Sequence, residues 1–133
     1  MKIAFVTQPC HSEMEDDDRP LAAALARRGA VVLSAPWDDD DFAWDKVDLA
    51  LLRSPWDYYL RFDAFLAWLS RVAELTTLVN PADTVRWNAH KGYLKDLADR
   101  GVHTVPTAFV ARGETTSLGG LCADRGWDTV VLK

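Results

Sequence analysis

Basic charge is in short supply in this chain: fifteen Lys and Arg stand against twenty Asp and Glu, a formal charge of -5 over 133 residues. A phosphate-backbone binder draws its affinity from clustered cations, so this balance argues against nucleic acid as a partner. Long apolar runs are missing too. No stretch approaches the ~18–20 residues of a spanning helix, and Met1-Lys2-Ile3-Ala4-Phe5-Val6 turns polar too soon for a signal peptide. A cytoplasmic protein without a membrane partner is therefore expected. Cysteine is limited to Cys10 and Cys122, far apart and with no CxxC or Cys/His pattern at zinc spacing. That excludes a disulfide framework and a structural zinc and leaves two reduced thiols. His11, His90 and His103 lack metal-ligand spacing, and no serine or cysteine has a recognisable base near it. No metal ligand and no catalytic nucleophile is assigned. GxGxxG and the Walker loop are absent, and a receiver domain would want acids after its first strand, where Thr7-Gln8-Pro9 stands.

What is present is an ordinary globular composition, 49% hydrophobic and 26% charged, enough for one good core. Lys2 to Val6 reads as a buried strand. Asp16 to Gly29 then reads as a helix, with acids and Pro20 in its first turn, arginines in its last and Gly29 beyond. Ala30-Val31-Val32-Leu33 supplies a second strand and Val47 to Arg53 a third. Phe62, Phe65, Leu66, Leu69, Val72 and Ala73 recur at helical spacing, and Thr77 to Asn80 supplies a fourth strand. Short strands alternating with helices predict an α/β fold, a Rossmann-like parallel sheet over roughly the first 85 residues. Such sheets bind ligands beyond the carboxyl ends of their strands. The loops that matter are then Thr7 to His11, Ser34 to Trp37, Arg53 to Tyr59 and Asn80-Pro81.

Beyond residue 85 the texture changes. Asn88 to Gly101 is expected to form a helix with a terminal glycine, Val105 to Val110 a strand, Thr115 to Arg125 a short helical stretch, and Thr129 to Leu132 a closing strand. A piece this small has a marginal core of its own. The acidic runs Glu13 to Asp18 and Asp38 to Asp41 read as solvated loops and a helix start, since a calcium loop needs a fixed alternation and a turn glycine.

The densest chemistry is Arg53-Ser54-Pro55-Trp56-Asp57-Tyr58-Tyr59. It sets a guanidinium at a strand's carboxyl end, where a planar fork can grip a carboxylate or phosphate, beside a hydroxyl, a carboxylate and three rings. The competing reading pairs Arg53 with Asp57 and uses the rings to pack the loop. Lys91 is expected near the start of its helix and Lys133 follows an apolar strand. Each is a flexible cation suited to phosphate oxygens, and each alone would be an ordinary surface lysine.

Asn80-Pro81, Arg86 to Leu94, Gly101-Val102-His103-Thr104-Val105-Pro106-Thr107 and Val130-Val131-Leu132-Lys133, taken in order, resemble the opening of an ATP-grasp enzyme. Arg53-Ser-Pro-Trp-Asp-Tyr-Tyr resembles the stand-alone branch that includes the cycloserine-forming cyclo-ligase. The resemblance implies a Rossmann-like pre-ATP-grasp domain over 1–85 and the incomplete first subdomain of the ATP-binding domain over 86–133. It implies ATP contacts at Lys91 and Lys133, and substrate contacts at Arg53, Ser54, Trp56, Asp57 and Tyr58. The reaction implied is ATP-dependent joining of a carboxylate or related group to an amine through an acyl phosphate, with Mg2+ held by residues beyond Lys133. On that resemblance the chain is expected to be an amino-terminal fragment, inactive alone. The alternative is a complete, non-catalytic α/β module binding a metabolite or partner, its open sheet edge covered by homo-oligomerisation.

Overall fold

A computed structural model describes residues 1–9 and 14–132. The run KIAFVT forms β1 (Lys2–Thr7), buried at every position after Lys2. A strand covered on both faces can be apolar at consecutive positions, and this one is. A 3-10 turn (Asp16–Asp18) leads into α1 (Arg19–Arg27). Pro20 occupies the first turn, where its missing N–H costs no bond. Gly29 closes the helix at a φ of +85°, the left-handed region glycine enters without strain.

β2 (Val31–Pro36) follows, then a 3-10 turn (Trp44–Lys46), β3 (Leu49–Ser54) and a second 3-10 turn (Tyr58–Arg61). That turn runs into α2 (Phe62–Leu75), which buries Phe65, Leu69 and Val72 of the expected stripe and, beside them, Trp68. β4 (Thr77–Val79) and α3 (Ala82–Ala89) come next, then α4 (Tyr93–Asp99) and α5 (Leu118–Arg125).

The four strands form the expected parallel sheet, in the order β2-β1-β3-β4. The β1–α1–β2 crossover runs toward one edge and β3–α2–β4 toward the other. The chain therefore switches direction between β1 and β3, the position at which open α/β sheets present a ligand crevice. Ala4, Val6, Ala50 and Leu78 meet Trp37, Trp44, Phe65, Trp68, Leu69 and Val72 in the main core. Within it the Trp68 ring stacks on Phe65 at 5.5 Å and meets Trp44 edge-on at 5.3 Å.

Two compact units are distinguishable, Met1–Tyr93 and Leu94–Lys133. The first extends past residue 85 because α3 packs on α2 and buries Val85 in the core. In the second, Ser117 Oγ accepts the Gly120 N–H at 3.2 Å, which caps the start of α5.

Three expectations on this part of the chain need correction. The helix over Asn88–Gly101 is interrupted. α3 ends at Ala89, His90 is extended, and α4 begins only at Tyr93, so Lys91 lies in the intervening turn. Val105–Val110 and Thr129–Leu132 carry no strand. A β-branched run becomes a strand only where a neighbouring backbone completes its hydrogen-bond ladder, and among the described residues β1–β4 pair only with one another. No described helix is long and apolar enough to cross a membrane.

Candidate functional site

The carboxyl edge of the sheet gathers most of the sequence-predicted residues, in three groups. At the β1/β3 switch point, β3 carries one extra residue. Val6 pairs with Leu52 but Thr7 pairs with Ser54, so Arg53 is bulged out of the ladder. Bulges re-aim side chains and concentrate beside functional sites. Arg53 turns to the start of α1, where its Nε and Nη2 donate to Asp18 Oδ1 at 2.6 and 2.5 Å. Asp18 is 3% exposed, so the pair ties the end of β3 to the entry of α1. This is neither a free fork nor the Arg53–Asp57 pair of the competing reading. Ser54 is buried beside it, and its Oγ has no hydrogen-bond partner among the described residues.

The second group is a clasp between two edge loops. Asp57 Oδ1 accepts the Trp37 indole N–H at 2.8 Å. Arg61 Nη2 donates to Asp38 Oδ2 at 2.6 Å and reaches Asp57 Oδ2 at 3.4 Å, with its guanidinium 4.6 Å from the Trp37 ring centroid. The Asp38 hydrogen bond, chiefly, raises the Arg61 pKa above its ordinary value. Asp57 is thus committed to holding the loop after β2 against the loop after β3. Trp56, one residue earlier, is 58% exposed.

The third group is a cleft of about 230 Å³. Leu52, Pro55, Phe65 and Val85 supply apolar walls, and Tyr58, Asn80, Asn88, Lys91 and Tyr93 supply polar groups. Tyr58 is fixed by its hydroxyl, which donates to Ala89 O at 3.1 Å, and by its ring, 5.2 Å from Phe65. The turn that carries Lys91 is shaped by His90, whose Nδ1 accepts the Gly92 N–H at 3.1 Å. A Cβ on Gly92 would stand 3.1 Å from that same nitrogen, so glycine lets the turn close tightly. Lys91 Nζ lies 5.7 Å from the Tyr93 ring centroid, at the range of a cation–π contact. One cation, two carboxamides and two phenols around an apolar slot can hold an anionic or amide-bearing ligand. A larger depression of about 650 Å³ is lined mainly by residues flanking the starts of β3 and β4, such as Asp48, Thr76 and Thr77. It lies at the end of the sheet opposite to where such folds place ligands.

Of the predicted site residues, Tyr58 and Lys91 meet in one cleft, Arg53 and Ser54 share the switch point, and Asp57 serves the clasp. Lys133, like Cys10 and His11, lies outside the described residues. Asn80, Asn88 and Tyr93 were not singled out individually, although Asn80 stands in a loop marked as ligand-facing. Asp18 was missed because an ion-pair partner 35 residues away has no local signal.

Comparison with known proteins joins this geometry to a family. A model of the D-cycloserine synthetase DcsG N-terminal domain matches residues 3–80. The chain belongs to the D-cycloserine synthetase N-terminal domain family. Cycloserine biosynthesis protein DcsG of Streptomyces lavendulae is 36% identical over 111 residues, covering 84% of this chain and 37% of that protein. The crystal structure of D-cycloserine synthetase DcsG superposes with a TM-score of 0.78 at 33% identity, over 95% of this chain and 43% of that one. The chain therefore spans well under half the length of these synthetases. The span matched to the D-cycloserine synthetase domain contains all four strands, the switch point, the clasp and Asn80, whereas Lys91 lies just past it.

Proposed function

We propose that the chain is the amino-terminal part of an ATP-dependent carboxylate–amine ligase of the ATP-grasp type. The observation that carries this reading is the meeting of Lys91 and Tyr58 in a cleft at the ligand-binding edge of a D-cycloserine synthetase-like domain. In this reading Lys91, and Lys133 by its place in the sequence, neutralise ATP phosphates, and the residues from Arg53 to Tyr58 form or support the substrate wall. ATP, when bound, supplies the phosphoryl group that activates a carboxylate toward an amine. The chain's own contribution is charge neutralisation and a wall against water. The reaction class suits the product named for the relatives, D-cycloserine, whose ring contains an acyl–nitrogen bond.

Magnesium does not fit the described residues, among which no group of three or more His, Cys, Asp or Glu could hold a metal ion. Its ligands are assigned elsewhere, and the isolated chain is accordingly proposed to bind nucleotide weakly and to catalyse nothing. A cytoplasmic setting follows from the reading as a biosynthetic enzyme.

Calorimetric titration with ATP tests it. The chain should bind with a Kd on the order of 1 mM, and Lys91→Met should weaken binding about tenfold or more. Absence of ATP binding, or a Lys91→Met chain that binds as well as the parent, would leave the non-catalytic module as the better description.

A further inference from the structure

The sequence from Asn88 to Gly101 favours one continuous helix, yet the backbone breaks after Ala89 and places Lys91 in a turn. A helix that stops leaves its last four carbonyls without intrahelical partners, so a break needs groups to take them up. The final carbonyl of α3 has such a group. Tyr58, 31 residues earlier and outside the helix, donates its hydroxyl to Ala89 O at 3.1 Å. Tyr58 is itself firmly placed. Its ring lies 5.2 Å from Phe65, while Asp57 before it and Arg61 at the end of its 3-10 turn are committed to the clasp with Trp37 and Asp38. Beyond the break, His90 Nδ1 takes the Gly92 N–H and the Tyr93 ring meets Trp87 edge-on at 5.3 Å, so the turn is held from both ends.

We infer that Tyr58 is a positioning residue for Lys91: its hydroxyl ends α3 at Ala89 and thereby sets the lysine in the wall of the cleft. This role rests on the ligase reading, in which Lys91 meets ATP, and it differs from contact with substrate. Without the hydroxyl, Ala89 O is left to accept the donor that helical bonding offers it, the N–H of Tyr93 four residues on. That N–H is held at present only by a long bond to His90 O, 3.3 Å, so the exchange costs little. The helix then runs on through His90, Lys91 and Gly92, and Lys91 takes the direction that 3.6 residues per turn dictates. A cation neutralises a phosphate only from a few ångströms away, so a redirected Lys91 loses its hold on ATP. The clasp thus acts on the nucleotide at one remove. Asp57 and Arg61 hold Tyr58, Tyr58 holds Ala89, and Ala89 leads into Lys91.

Backbone Cα NMR shifts and titration with ATP, both on the whole chain, test this role. Tyr58→Phe keeps the ring against Phe65 and removes only the hydroxyl. It should move the Cα shifts of His90, Lys91 and Gly92 toward helical values and weaken ATP binding about fivefold, as the loss of one hydrogen bond implies. In the Lys91→Met chain the same substitution should move the Cα shifts equally but change ATP affinity by less than about twofold, because no ammonium is left to misplace. Tyr59→Phe, on the neighbouring exposed ring, should change neither quantity. Unmoved Cα shifts, or a Tyr58→Phe chain with an ATP affinity within about twofold of the parent, would overturn the positioning role. So would an equal loss of affinity with and without Lys91, which would make the hydroxyl a direct contact to the nucleotide. If Lys91→Met weakens ATP binding in any of these cases, the ligase reading stands while the positioning role falls. If the Lys91→Met chain binds ATP as well as the parent, both fall.

Discussion

Trp68→Ala is expected to destabilise the first unit by about 3–5 kcal/mol, the usual cost of deleting a large buried aromatic together with the cavity it leaves. Trp68 is the hub of the ring cluster. It stacks on Phe65, meets Trp44 edge-on, and lies 6.4 Å from Trp37, whose indole N–H in turn orients Asp57. Small domains hold only about 5–15 kcal/mol in reserve, so urea denaturation should show a midpoint collapse and the NMR spectrum should lose dispersion. Trp56→Ala provides the contrast. It truncates an equally large ring that is more than half exposed and should shift stability by no more than about 0.5 kcal/mol. Equal effects at the two positions would mean that the core is not organised around α2.

Removing Arg53 should produce the second largest loss. Breaking a fully buried pair by deleting one partner costs about 3–5 kcal/mol, because the surviving charge is stranded away from water. Asp18 is fully buried but Arg53 keeps about a third of its side chain in solvent, which screens the pair and lowers the expected cost of Arg53→Met to about 2–3 kcal/mol. Adding Asp18→Asn to that variant removes the stranded charge and should restore about 1–2 kcal/mol. A double-mutant cycle by urea denaturation measures the coupling directly. If Arg53→Met is neutral and the second substitution restores nothing, the guanidinium is free, and the carboxylate-gripping role first read from the sequence regains its force.

What the sequence made legible was whatever is fixed locally. The apolar run after Lys2, the α2 positions Phe65, Leu69 and Val72 and the glycine stop at Gly29 each announce themselves within a few residues. Their alternation was sufficient to anticipate a parallel sheet. α3 was less visible, because ADTVRWNA offers the core Val85 and few other apolar positions, and its N-cap, Pro81, makes no side-chain bond. Val105–Val110 and Thr129–Leu132 have strand composition but no ladder partner among the described residues, and composition cannot supply one. The site divided along the same line. Arg53, Asp57, Tyr58 and Lys91 were all marked as candidates by residue type and placement after strands or within the motif. Which of them face a cleft, and which are spent on Asp18 or Trp37, depends on contacts across 20 or more residues of chain, as between Asp57 and Trp37.

That the chain serves as the front end of a ligase is tested most directly in a chimera. In it, this chain replaces the matched 111-residue region of the Streptomyces lavendulae DcsG protein, of which the chain covers 37%. ATP turnover dependent on an added carboxylate–amine substrate is then measured. The expected result is substrate-dependent ADP formation that falls about a hundredfold or more with Lys91→Met, in line with the loss of a group that neutralises transferring phosphates. A chimera that folds and binds ATP yet forms no ADP with substrate, or turns over equally well without Lys91, would contradict the assignment.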